Sequence, residues 1–311
     1  MKTIANIIRE GLSCHYTTGE VDALTRIIAT ELLGVSQMTF FLKDDITLTA
    51  EQQDQLDNAI ERLKKQEPIQ YILGYCDFCS LRFKVTPATL IPRPETSELV
   101  EWIASEATGW ESVLDIGTGS GCIAVSLAHK LPNSKITAWD ISNEALAVAT
   151  ANSKANGCAV TFEQVDILAY EPDDKQFDVI VSNPPYIKEK EKEAMHSNVL
   201  DWEPHTALFV PDSDPLLFYH TIAQKGLQVL KPGGHLYFEI NRAHGKETIA
   251  MLAALGYTSI ELRKDFAEND RMIRAIKSKT ENSSPALRGG AEGGGVNRPS
   301  EATRDLINTA E

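Results

Sequence analysis

"VLDIGTGSGCIAVSLA", residues 113–128, changes its period halfway along. Val113-Leu114-Asp115-Ile116 reads as a buried strand, Gly117-Thr118-Gly119-Ser120-Gly121 as a turn, and a helix is expected from about Cys122. Glycines allow the tight turn and a close backbone approach to a ligand. The turn feeds a helix N-terminus, where backbone N–H groups have no intrahelical partner. The spacing is neither the GxGxxG of a dinucleotide fold nor the Gly-Lys-Ser/Thr of a P-loop. It reads DxGxGxG, with an acid in the strand end. A pyrophosphate wants donors at that place. Asp115 instead suits a ligand that carries an amino group and a positive charge.

Outward from this stretch, strands and helices alternate. Strands are expected at 112–116, 135–139, 161–164, 177–182 and 235–240, and helices at 122–129, 143–156, 216–229 and 245–254. Two last strands, 258–262 and 272–277, follow one another and predict an antiparallel edge. The alternation predicts a doubly wound α/β sheet with helices on both faces. Asp140 ends the second strand, in "ITAWDIS", and an acid there can accept from two ribose hydroxyls. Asp166 ends the third, in "VDIL", where it can accept from the exocyclic amine of adenine, with Ile167 against the ring.

The fourth strand ends in "DVIVSNPPYIKEK", 178–190. Two prolines remove two donors and cannot continue a central ladder. Pro185 biases Pro184 toward an extended conformation. A rigid turn of this kind can hold the Asn183 side-chain oxygen and the Pro184 carbonyl toward one NH₂ group. That is what a planar amide or aryl amine needs, because its lone pair is delocalised and must be aimed. Carbonyl dipoles also stabilise the positive charge that develops on nitrogen. Tyr186 is placed to stack on the planar group. The turn thus points to methylation of an amino or amide nitrogen, without separating protein glutamine from a nucleobase.

The glycine loop with Asp140 and Asp166 resembles the methyltransferases that bind S-adenosylmethionine on a seven-stranded sheet. "EPIQYILG" (67–74), "TLIPRPETSELV" (89–100), "SNPPYI" and the Glu203-Pro204 and His205-Thr206-Ala207-Leu208 pieces occur in that order. Together they resemble the HemK/PrmC family of protein-(glutamine-N5) methyltransferases. The resemblance implies S-adenosyl-L-methionine as cofactor, and peptide chain release factors, modified at the glutamine of their Gly-Gly-Gln motif, as protein partners. It implies cofactor contacts at Gly117, Thr118, Gly119, Ser120, Gly121, Asp140, Asp166, Ile167 and Asn183. It implies substrate contacts at Asn183, Pro184, Pro185, Tyr186, Arg93 and Glu95, with Asn183, Pro184 and Tyr186 at the chemistry. A DNA adenine methyltransferase, a glutamine methyltransferase for a ribosomal protein, and a cofactor-binding assembly factor without turnover are the alternatives. The first wants a basic target-recognition region, whereas formal net charge is −14.

Four regions are expected. Residues 1–75 are a helical substrate-recognition domain, with helices through 3–12, after the Thr17/Glu20 capping box, and after the Thr49/Gln52 box. Residues 76–91 are a β-hairpin connector, 92–278 the methyltransferase domain, and 279–311 a disordered tail poor in apolar residues. Thr96 or Ser97 is expected to cap the helix that follows the Pro-rich entry. The five cysteines, Cys76-Asp77-Phe78-Cys79 included, read as reduced thiols rather than disulfides or a zinc site. No apolar run reaches a membrane span, and no signal peptide precedes residue 20, so a cytoplasmic monomer with no metal, no membrane and no direct nucleic-acid partner is expected.

Overall fold

The computed structural model describes residues 4–42, 47–109 and 111–279. The tail, beyond its first residue Lys279, lies outside the described residues.

Among the N-terminal helices, the two that follow Thr17 and Thr49 each open on a capping box, and their apolar stripes face one core. α1 (Ile4–Leu12) packs on α2 (Thr18–Ile27) and on α4 (Ala50–Lys64); α3 (Gln37–Leu42) is a short helix that the pattern did not predict. The Thr17 amide donates to Glu20 Oε2 at 2.7 Å, and the Gln52 amide donates to Thr49 Oγ1 at 3.1 Å, so both capping boxes are present. α2 runs on as one π turn, Ile28–Leu32, before Gly34 at φ +68° turns the chain. Ile8, Leu12, Ile28, Leu56 and Leu63 fill the core of this bundle. A further short helix, α5 (Ile69–Leu73), leads into a hairpin of β1 (Tyr75–Phe78) and β2 (Leu81–Lys84). Cys76 in β1 and Cys79 in the turn are free, half-buried thiols against the core below, and burial pushes Cys76 up to about 12.

The second half of the chain begins with α6 (Pro94–Glu106). Its first turn corrects one expectation. Neither Thr96 nor Ser97 caps it; Arg93 is the N-cap and Pro94 takes the first helical position, where a missing N–H costs nothing. Thr96 lies inside the helix and donates to buried Glu239 Oε2 at 2.6 Å.

Then follow β3 (Ser112–Ile116), α7 (Cys122–Lys130), β4 (Lys135–Asp140), α8 (Asn143–Ala155), β5 (Val160–Gln164) and β6 (Phe177–Ser182). Two short strands, β7 (Ile187–Lys188) and β8 (Phe209–Val210), pair beside the sheet and enclose α9 (Ser197–Leu200). α10 (Leu217–Val229), β9 (Leu230–Glu239), α11 (Gly245–Ala254), β10 (Tyr257–Lys264) and β11 (Asp270–Lys277) complete the fold. β9 starts five residues before the predicted run, because its Pro232-Gly233-Gly234 stretch stays in the strand with a register irregularity opposite 177–179.

The main sheet has seven strands in the order β10-β11-β9-β6-β3-β4-β5. β9, β6, β3, β4 and β5 are parallel, and β11 pairs antiparallel with both β9 and β10. This is the seven-stranded, doubly wound sheet with an antiparallel edge. Alternate residues bury on opposite faces: Val113, Val179 and Val181 under α6 and α7, Leu114, Ile180 and Leu236 under α10 and α11. Strand order reverses between β3 and β6, so the crevice for a ligand opens at their carboxyl ends.

Candidate active site

The glycine loop is held from below. The amides of Gly117 and Thr118 both donate to the Trp139 carbonyl, at 2.8 and 3.0 Å, which ties the loop to the tip of β4. Gly117 and Gly119 have φ of +73° and +55°, and a Cβ on either would meet nothing within 4 Å. Both therefore front open space. Gly121 does the opposite: at φ +81° its Cβ would lie 3.0 Å from Ala149 Cβ. Its lack of a side chain serves helix packing against α8. Asn152 of α8 donates to the Ser120 carbonyl at 2.8 Å while exchanging hydrogen bonds with the Lys84 backbone, so one buried amide ties the loop to the hairpin.

Asp115 lies deeper than the rest of the loop. It is fully buried beneath the loop and accepts from Thr118 Oγ1 at 2.6 Å. Burial pushes its carboxyl up to about 7. It braces the loop from beneath. Asp140 is half-buried at the tip of β4; its Oδ2 takes the Gly119 amide at 2.8 Å and its Oδ1 the Ser142 amide at 2.9 Å. Burial raises it, against the pull of those amides. Asp166, after β5, is exposed and takes the Leu168 amide at 2.9 Å.

These groups converge on a cavity of about 390 Å³ at the carboxyl edge of the sheet, a size suited to a small ligand. Gly117, Thr118, Gly119, Ser120, Asp140, Asp166, Ile167, Asn183, Pro184, Pro185 and Arg93 all lie on its wall; Gly121 does not. Ile167 is mostly core, packed in the cluster of Trp139 and Phe177. The apolar side chains left exposed on this wall are Ile141 and Leu168, 57% and 43% accessible. Sequence reading passed over both. An isoleucine directly after a strand-end acid, outside the strand, was the signal for the first.

A second cavity, about 300 Å³, lies on the far side of the Asn183-Pro184 turn and is lined by Arg93, Tyr186, Met195 and His196 among others. Leu90, Arg93, Asn183, Pro184 and Ala207 belong to both walls. Tyr186 is on the second wall only, and Glu95 is on neither. Burial lifts the Tyr186 phenol above its usual range, and the Glu239 carboxylate adds to this. The turn is anchored by its surroundings. Ser182 Oγ donates to the Ile116 carbonyl at 2.7 Å, the Tyr186 amide to the Leu208 carbonyl at 3.2 Å, and Asn241 Nδ2 to the Tyr186 carbonyl at 3.2 Å. Among the described residues, neither the Asn183 side chain nor the Pro184 carbonyl has a hydrogen-bond partner. Two acceptors on the dividing wall are thus free for a ligand NH₂.

Arg93 is held by Glu203, a residue that the sequence placed in a motif piece without giving it a role. Its Nη2 donates to Glu203 Oε1 at 2.6 Å, and the Ile91 amide donates to Glu203 Oε2 at 3.1 Å. Two of the motif pieces, one at 89–100 and one at 203–208, are therefore in direct contact.

Residues 10–74 match the family model of the PrmC N-terminal domain, and residues 95–201 that of the methyltransferase small domain. A release factor glutamine methyltransferase of Bacteroides thetaiotaomicron is 49% identical over 276 residues, covering 88% of this chain and 99% of that one. Its namesake in Flavobacterium psychrophilum is 44% identical over 270 residues, 85% of this chain and 95% of that one. The one from Geobacter sulfurreducens is 36% identical over 250 residues, 80% and 87% of the two chains.

Proposed function

We propose, since the chain belongs to the family of release factor glutamine methyltransferases, that it transfers a methyl group from S-adenosylmethionine to the side-chain amide nitrogen of a release-factor glutamine, the one in the Gly-Gly-Gln motif. The observation that carries this reading is the pair of unpartnered acceptors, Asn183 and Pro184, on the wall between two cavities. S-adenosylmethionine supplies a methyl group made electrophilic by its sulfonium.

The larger cavity fits that cofactor by its size and donor set. Gly117, Thr118, Gly119 and Ser120 would hold it along the loop, with Gly121 setting the loop's seat on α8. Asp140 would take the ribose hydroxyls and Asp166 the adenine amine, between Ile141, Ile167 and Leu168. On the other side, the Asn183 oxygen and the Pro184 carbonyl each accept one hydrogen of the glutamine amide. That fixes the amide plane and aims the nitrogen through the wall; orientation of this kind supplies much of the rate. The same two dipoles stabilise the charge that grows on nitrogen. The proton leaves after transfer, so no base is needed before it. Pro185 keeps the turn rigid, Tyr186 lies along the acceptor side, and Arg93 borders the acceptor's approach, with Glu95 two residues on in the first turn of α6.

The helical domain at 1–75 contributes grip on the release factor, the hairpin at 76–91 joins it to the catalytic domain at 92–278, and the chain works as a cytoplasmic monomer on protein rather than nucleic acid. The net charge of −14 supports a protein acceptor. Among the described residues no helix is long and apolar enough to cross a membrane.

The test supplies labelled cofactor with three acceptors: a release factor, the same factor with its Gly-Gly-Gln glutamine changed to alanine, and duplex DNA. Label is expected on the first alone. Label on DNA, or persisting on the alanine version, overturns the reading.

A further inference from the structure

We propose that Glu203 is a positioning residue for the transfer, a buried carboxylate that fixes the wall between the two cavities; this rests on the function proposed above. Glu203 is 4% exposed. Its two oxygens are divided between the Ile91 amide and the Arg93 guanidinium, which lie 112 and 110 residues away in sequence. It thereby joins the chain that follows the Asn-Pro-Pro-Tyr turn to the chain that precedes α6.

Its surroundings make the join rigid. The Glu203 amide donates to the Val199 carbonyl at 3.0 Å, on the side of the second cavity. Next to it, Trp202 Nε1 donates to the Lys65 carbonyl at 3.2 Å, and the ring packs with Tyr71, Val85 and Ile91. Leu90 and Arg93 at one end of the join, and Ala207 at the other, are on both cavity walls. An apolar pair of similar volume would hold two segments together as well as a buried ion pair does. What the carboxylate adds is a set distance and direction for two donors at once. A wall displaced by about 1 Å is enough to lose roughly 100-fold in rate where reacting atoms must be aligned.

The test compares Glu203→Gln and Glu203→Ala with the unaltered protein. Glutamine keeps an oxygen for the Ile91 amide but turns an NH₂ toward Arg93; alanine removes both contacts. Read per folded molecule, with the folded fraction from circular dichroism, kcat on the release factor is expected to fall in the order Glu, Gln, Ala. The alanine variant should lose about 30-fold or more. S-adenosylhomocysteine affinity by calorimetry should stay within about threefold, because the glycine loop, Asp140 and Asp166 are on other elements. Hydrogen exchange of the 89–96 peptide should speed up in the alanine variant. Wild-type kcat in Glu203→Ala, or equal losses in kcat and cofactor affinity, overturns the inference. Should the unaltered protein fail to label any release factor, the proposed function falls by itself. The join is then judged by the exchange of 89–96, and unchanged exchange in Glu203→Ala removes it.

Discussion

Asn183 and Asp115 stand at the two ends of what a side chain can do near a ligand. Asn183 has an unpartnered side chain on a wall, so its replacement removes an acceptor without unmaking a structural bond. Asn183→Ala is expected to lower kcat by about 100-fold or more. Cofactor affinity should stay within about tenfold, or roughly 1.4 kcal/mol. Initial rates and calorimetry check this, and a fully active variant would remove Asn183 from the chemistry. Asp115 is buried, and that burial pushes its carboxyl up to about 7, well above the ordinary carboxylate range. The folded chain therefore holds this proton more tightly than the unfolded chain does. That preference stabilises the fold fully below about pH 4 and is lost as pH rises through about 7. The unfolding free energy of the ligand-free protein, from urea titrations, should fall from pH 5 to pH 7, by up to about 1.4 kcal/mol per unit from this group. Asp115→Asn should flatten that slope, and an equal slope in the variant would place its origin elsewhere.

At the scale of elements, the glycine loop and α8 show how packing and binding share one turn. A side chain at Gly121 must take φ +81° and must push Ala149 back from 3.0 Å. Gly121→Ala should therefore destabilise by about 1–3 kcal/mol and weaken cofactor binding, whereas Gly19→Ala on the exposed start of α2, with nothing within 4 Å, should be neutral or slightly stabilising. Urea titrations of the two variants separate these outcomes. Strands and helices of the sheet were legible because periodicity and caps are local, and both capping boxes fell where Thr17 and Thr49 placed them. α5, β7 and β8 were not legible, since two to five residues carry no period. Nor were the partners of Glu203, Glu239 and Asn152, which lie 32 to 143 residues away. A lone Glu or Asn in a sequence does not reveal which distant donor will bury it. Asp115 shows a nearer limit. Its place at a strand end was visible, but the hydroxyl of Thr118 closing over it was not.

Across the whole molecule, the helical bundle and the sheet are joined by more than a linker. Tyr71 OH donates to the Thr89 carbonyl at 2.7 Å in a buried setting, and the Trp202–Lys65 bond lies beside it. All four tryptophans, at 102, 110, 139 and 202, fall after residue 75 in the sequence, so their fluorescence follows the second half of the chain. Unfolding followed by tryptophan fluorescence and by far-ultraviolet circular dichroism should therefore give coincident midpoints. An earlier loss of helical signal would mean that the bundle melts alone. The sheet's outer border has a different consequence. β10 is an outermost strand, and its pairing with β11 slips twice, between 258 and 261 and between 263 and 264. Such bulges bend and twist a strand. Glu261, Arg263 and Lys264 add charge along it. A second copy of the chain meets no flat, neutral template for edge-to-edge pairing there. The border that closes the fold thus also guards against fibrous self-association when the protein is concentrated.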